Sequence, residues 1–159
     1  MIKNKIVLGA DHNGVLLKSK IKDHLPQKGY NCIDIGPDKT QPSVDYPDFA
    51  YLVAKMISNR TADFGILICG TGIGMSIVAN KIKSVRAALV HNLISAKKSK
   101  EHNDANIICL GAWINDDLIN INLVDSWLSE SFAKGRHIPR INKIEKICSQ
   151  SYKKPNLNM

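Results

Sequence analysis

The run Ile66-Leu67-Ile68-Cys69-Gly70-Thr71-Gly72-Ile73-Gly74 constrains this chain more than any other stretch. Apolar residues lead into a cysteine, a glycine-rich turn follows, and residues 75–81 then read as a helix. A buried strand, a tight turn and a helix start are the parts of an anion cradle. Glycines admit positive φ and close backbone approach. The helix start offers unpaired N–H groups and a partial positive charge. The strand delivers the Cys69 thiol to that positive end, where a thiolate is favoured. The pattern predicts a thiol base beside an oxyanion hole.

Similar units recur along the chain. Apolar strand-like runs are expected over residues 5–10, 31–35, 64–69, 85–90 and 106–110. Helical patterns lie between them, over 15–25, from 47 onward, over 93–100 and over 116–131. A last helix is expected over 142–151. The stretches 101–104 and 135–140 read as polar loops. In the helix over 116–131, Leu118, Ile119, Leu123, Val124, Trp127 and Leu128 are expected to face inward. Alternating strands and helices imply a parallel sheet covered on both faces. The expected architecture is a three-layer αβα Rossmann-like, flavodoxin-like fold with five parallel strands and a C-terminal helix. One domain is expected over 1–151, with a disordered tail expected over 152–159. Ligands of such sheets bind outside the carboxyl ends of the strands.

Charge and cysteine usage narrow the function. The 22 Lys and Arg against 14 Asp and Glu give a net charge of +8. The basic residues are scattered and aromatics make up only 6% of the chain, which argues against a nucleic-acid surface. A phosphorylated substrate accounts better for cations near glycine turns. None of the apolar runs approaches the roughly 20 residues of a membrane span. The chain enters its first strand directly, so a cytoplasmic protein is the expectation. The four cysteines form no Cys-x-x-Cys pair and fit no zinc template.

Several residues join Cys69 as candidates. The glycine loop lacks dinucleotide spacing, because the third glycine position falls at Met75, and no Gly-Lys-Ser/Thr follows as in a P-loop. Thr71 reads either as a proton relay or as a helix-capping hydroxyl. Asp11 and His12 follow the first strand, where Asp11 also suits a cap. His102 lies in a polar stretch. Arg136, His137 and Arg140 form either an exposed basic turn or a phosphate clamp.

These residues sit in a larger pattern: Gly9-Ala10-Asp11-His12-Asn13-Gly14, Asp45-Tyr46-Pro47, Gly65 to Gly74, Ala79-Asn80-Lys81, Val85-Arg86-Ala87-Ala88, His102-Asn103-Asp104-Ala105-Asn106, Asp125-Ser126-Trp127-Leu128 and Gly135-Arg136-His137. In order and spacing this resembles the ribose-5-phosphate isomerase B family, which includes the galactose-6-phosphate isomerase subunits. The resemblance runs from the first strand to Arg140. It implies interconversion of ribose 5-phosphate and ribulose 5-phosphate with neither metal nor cofactor. It implies that His102 and Asp11 open the sugar ring, that Cys69 moves a proton between C1 and C2, and that Thr71 serves the oxygens. Gly70, Gly72 and Gly74 would then carry the enediolate hole. His12, Arg136, His137 and Arg140 would surround the phosphate, and Tyr46 and Asn103 the sugar. It implies a homodimer with shared sites, His102 and Asn103 reaching into the partner's site, or a tetramer of such dimers. Some relatives place a carboxylate base after the last loop glycine; Met75 stands there in this chain. Many carry an arginine where this chain has Trp113. Two alternatives stand beside this reading: a six-carbon sugar phosphate isomerase for allose or galactose 6-phosphate, and a non-catalytic nucleotide-binding module.

Overall fold

A computed structural model of the chain describes residues 4–149. The tail expected over 152–159 lies outside the described residues, as does the end of the last helix expected at 151. The sheet holds β1 (Lys5–Ala10), β2 (Asn31–Asp34), β3 (Phe64–Cys69), β4 (Ala87–Leu89) and β5 (Ile107–Gly111). Six α-helices accompany it among the described residues: α1 (Val15–His24), α2 (Tyr46–Ser58), α3 (Ile73–Ala79), α4 (Leu93–Asn103), α5 (Asp117–Ser129) and α6 (Ile138–Cys148). All strand pairs are parallel, in the order β2-β1-β3-β5-β4. The flavodoxin order, 2-1-3-4-5, differs by exchange of the last two strands.

Period-two alternation sorts each central strand between two cores. Ile6, Leu8, Ile66, Ile68, Ile108 and Leu110 meet Leu17 and Ile21 of α1, Ala96 of α4 and Val124 and Trp127 of α5. Val7, Leu67, Cys69, Ile107 and Cys109 meet Ala50, Val53 and Ala54 of α2 and Met75 and Ala79 of α3. Both faces are therefore dry, as parallel sheets require. The chain moves from β1 outward to β2, then returns to place β3 on the other side of β1. This reversal opens a crevice at the carboxyl ends of β1 and β3.

Three local expectations are corrected. Residues 101–103 are not loop but the last turn of α4. Asp104 closes that helix in the left-handed conformation at φ 46°, its N–H bonded to the Lys100 carbonyl. The polar sequence hid this turn because its stabilising contacts come from elsewhere in the chain. Likewise 135–140 is a 3₁₀ turn, Gly135–His137, running directly into α6. Pro139 opens this helix rather than ending a loop, since its missing N–H is unused in a first turn. Finally, Leu118 and Ile119 are 69% and 43% exposed. The inward stripe of α5 is Asn120, Leu123, Val124 and Trp127. Leu118 lies off that stripe, and Ile119 sits in the first turn along an open groove with Leu93 and Ile94.

Candidate active site

Cys69 is the last residue of β3. Its strand position turns the side chain towards α2 and α3, where it is buried but borders a cavity of about 540 Å³. The Gly72 N–H donates to Cys69 Sγ at 3.1 Å. The turn can aim that donor because Gly72 has φ 78°, a conformation open to glycine at no steric cost. A side chain there would also strike Leu89 and the Leu110 backbone. Thr71 Oγ1 accepts from the Ile73 N–H at 3.3 Å, a local turn contact one residue before the N-cap Gly72, while Thr71 also lines the cavity. Met75 is fully buried in the core and offers the cavity nothing.

The remaining walls come from neighbouring loops. After β1, Asp11 Oδ1 accepts the N–H groups of Asn13 and Gly14 at 2.9 and 3.2 Å. This Asx turn fixes the loop and leaves the Asp11 carboxylate at the cavity edge. His12 Nδ1 lies 3.2 Å from the Val44 backbone N–H and 3.3 Å from Ser43 Oγ, while Nε2 lies 3.2 Å from Asn13 Nδ2. Tyr46, at the start of α2, stacks so closely on Gly74 that a Cβ there would fall 2.5 Å from the ring. After β5, the Trp113 N–H donates to the Gly70 carbonyl at 2.9 Å. Its ring lies against Gly70, where a Cβ would approach to 2.6 Å. The glycines thus admit two aromatic walls.

The other cysteines are placed differently. Burial pushes the Cys32 thiol up, the Lys22 charge opposing. Complete burial drives Cys109 far above the ordinary thiol range, with the nearby Cys69 adding to it. Cys109 is a core side chain, and Cys32 on the edge strand is half-buried against the core.

The expected site set divides into two clusters. Asp11, His12, Tyr46, Cys69, Gly70, Thr71 and Gly74 border the cavity, and Gly72 completes the turn. His102, Asn103, Arg136, His137 and Arg140 do not border it. The phosphate cluster expected of His12 with Arg136, His137 and Arg140 is therefore not formed within one chain. The reason is the direction of α4. It leaves the carboxyl end of β4 and runs back for 11 residues, about 16 Å, towards the amino end of the sheet. There the His102 and His137 rings stack 4.4 Å apart, 14° from parallel. Burial holds His137 below the ordinary histidine range, and the charges of His102, Arg136 and Arg140 add to this against Glu101.

Sequence reasoning missed Asn13 and Ser43 as cavity residues, while Trp113, singled out as the departure from an arginine, lines the cavity. Asn13 had a signal in the Asp-His-Asn-Gly turn; Ser43 had none, because a long loop delivers it.

Fold and site together define a parallel α/β enzyme built around a thiol at a glycine turn. The chain belongs to the Ribose/Galactose Isomerase family, whose model matches residues 6–144. A probable ribose-5-phosphate isomerase B from Mycoplasma genitalium is 46% identical over 140 residues, covering 87% of this chain and 92% of that protein. The structure of ribose-5-phosphate isomerase B from Clostridium thermocellum superposes with a TM-score of 0.90 at 45% identity, covering 92% of this chain and 98% of that one. The Mycoplasma genitalium enzyme with bound ribulose 5-phosphate gives a TM-score of 0.89 at 42% identity, over 92% and 97% of the two chains.

Proposed function

We propose that this chain interconverts D-ribose 5-phosphate and D-ribulose 5-phosphate through an enediolate, with Cys69 as the base. The observation that carries the reading is the Cys69 sulfur at the cavity wall, held by the Gly72 N–H beside Thr71. Starting from the open-chain aldose, Cys69 Sγ takes the proton from C2. The C2–H electron pair forms the C1–C2 double bond, and the carbonyl pair moves to O1. Cys69 returns the proton to C1, while the O2 proton passes to O1 through the Thr71 hydroxyl. Charge collects on two vicinal oxygens beside the Gly70 to Gly74 turn, and removing one such preorganised donor costs about 3 kcal/mol in other enzymes. Asp11 with His102 opens the sugar ring. Tyr46 and Asn103 hold the sugar, and His12, Arg136, His137 and Arg140 hold the phosphate.

This reading requires two chains. The cavity on one protomer and the His102–His137 cluster on another come together in a homodimer, each chain completing its partner's site. Exposed apolar residues around the cavity support a covering partner: Tyr46, Ile73, Ile77 and Trp113 are 39, 49, 56 and 69% exposed. A working thiol also suits the reducing cytoplasm. Among the described residues no helix is long and apolar enough to cross a membrane.

Cys69→Ala tests the base. It is expected to keep its far-ultraviolet circular dichroism and lose roughly 10²- to 10⁴-fold in turnover of ribose 5-phosphate. Wild-type turnover by the folded variant would reject Cys69 as the base. Assaying allose 6-phosphate in parallel separates the five-carbon from the six-carbon reading.

A further inference from the structure

Arg86 stands immediately before β4 and does not border the Cys69 cavity. Its backbone is fixed to the start of β5. The Arg86 N–H donates to Asn106 Oδ1 at 2.8 Å, and its carbonyl accepts from the Asn106 N–H at 3.1 Å. From this base the guanidinium reaches two helices. Nε donates to the carbonyls of Asn103 and Asp104 at 3.1 and 3.0 Å. Nη2 donates to Asp104 Oδ2 at 3.0 Å, and Nη1 to Glu145 Oε1 at 2.8 Å. One planar cation thus ties the carboxyl end of α4, which carries His102 and Asn103, to α6, which His137 and Arg140 open and occupy. The cation also meets the negative end of the α4 dipole. Helix α6 buries Ile141 alone among its described residues, so apolar packing leaves its seating weakly defined.

We propose that Arg86 is a positioning residue for the second cluster: it locks α4 to α6 so that His102 and His137 meet in register and serve the partner's cavity. The proposal rests on the shared-site reading above. A lysine in its place keeps the charge but not the planar fork that reaches all four acceptors.

The test uses Arg86→Met and Arg86→Lys as homodimers and each paired with Cys69→Ala. Heterodimers are isolated by co-expression with two different tags. Each homodimer is expected to keep its circular dichroism and its mass while kcat/KM falls by about tenfold to a hundredfold, the loss expected of ångström-scale misplacement. In the heterodimer with Cys69→Ala, one of the two composite cavities has Cys69 from the Arg86 variant and an unaltered second cluster from its partner. Activity should return to about half the wild-type value, since symmetry gives the dimer two equivalent sites. A His102→Ala/Cys69→Ala heterodimer is the control for the shared site. If that control stays inactive, the shared-site reading fails and this inference with it. If the control is active and the Arg86 heterodimers are not, Arg86 serves its own cavity or the fold, and only the inference fails. Full activity of the Arg86 homodimers also overturns it. Should the Arg86 variants not fold, Glu145→Gln, which releases α6 alone, must show the same loss and the same return.

Discussion

His137 is the residue whose titration most directly reports the second cluster. Its folded value lies below that of the unfolded chain, because burial and the neighbouring His102, Arg136 and Arg140 all disfavour its charge. In the window below the ordinary histidine value of about 6.5, the unfolded chain therefore binds the proton more readily. Stability present above that window is lost as pH falls through it. In the substrate-free protein, the His137 ring protons are expected to titrate below that ordinary value by nuclear magnetic resonance. Arg140→Gln should move the transition upward. A wild-type His137 that titrates at or above the ordinary value would show that these cations do not govern it. At the same scale, Cys69 and Thr71 were legible in the sequence, because a thiol and a hydroxyl at a glycine turn carry their chemistry locally. Arg86 stood in the Val85 to Ala88 pattern, but its tie between α4 and α6 was not legible, since four acceptors scattered over Asn103, Asp104 and Glu145 leave no local pattern.

At the scale of elements, the loop between β2 and α2 supplies Ser43, Val44 and Asp45 to the cavity and delivers Tyr46 at the start of α2, yet it is a long polar segment with no core of its own. Lys18 of α1 secures its start. This buried amine bonds Asp34 Oδ1 at 2.6 Å and the Pro37 carbonyl at 2.8 Å. Burial pushes the Asp34 carboxyl up, but hydrogen bonds from Lys18, Lys22 and the Gly36 N–H outweigh it and hold the group below the ordinary aspartate range. Lys18→Met leaves that carboxylate with Lys22 alone among its cations. It is expected to cost about 2 kcal/mol, the range for losing a hydrogen bond to a charged group. Urea unfolding measures the loss, and a change under about 0.5 kcal/mol, the range of ordinary surface substitutions, would refute the anchor. The strands and most helices were legible as apolar periodicity. The last turn of α4 and the first of α6 were not. The last turn of α4 is polar and carries no amphipathic signal, and Pro139 in the first turn of α6 reads as a breaker until the helix start beside it is known.

At the scale of the whole molecule, the two clusters lie at opposite ends of one sheet. A chain that completes its partner's site should sediment as a dimer, with twice the 17.6 kDa of the protomer. Sedimentation equilibrium at micromolar concentration checks this, and a monomer that retains full activity would refute the shared site. The sequence by itself determined the layered parallel α/β architecture, because strands buried on both faces must alternate apolar residues with covering helices. It also determined the thiol at the glycine turn, whose parts are contiguous between Ile66 and Gly74. Only the tertiary structure decided which candidates share a cavity. Strand order and helix direction set those distances: α4 turns back along the sheet and carries His102 away from the Cys69 of its own chain, and no property of residues 93–103 taken alone records where that helix ends in space.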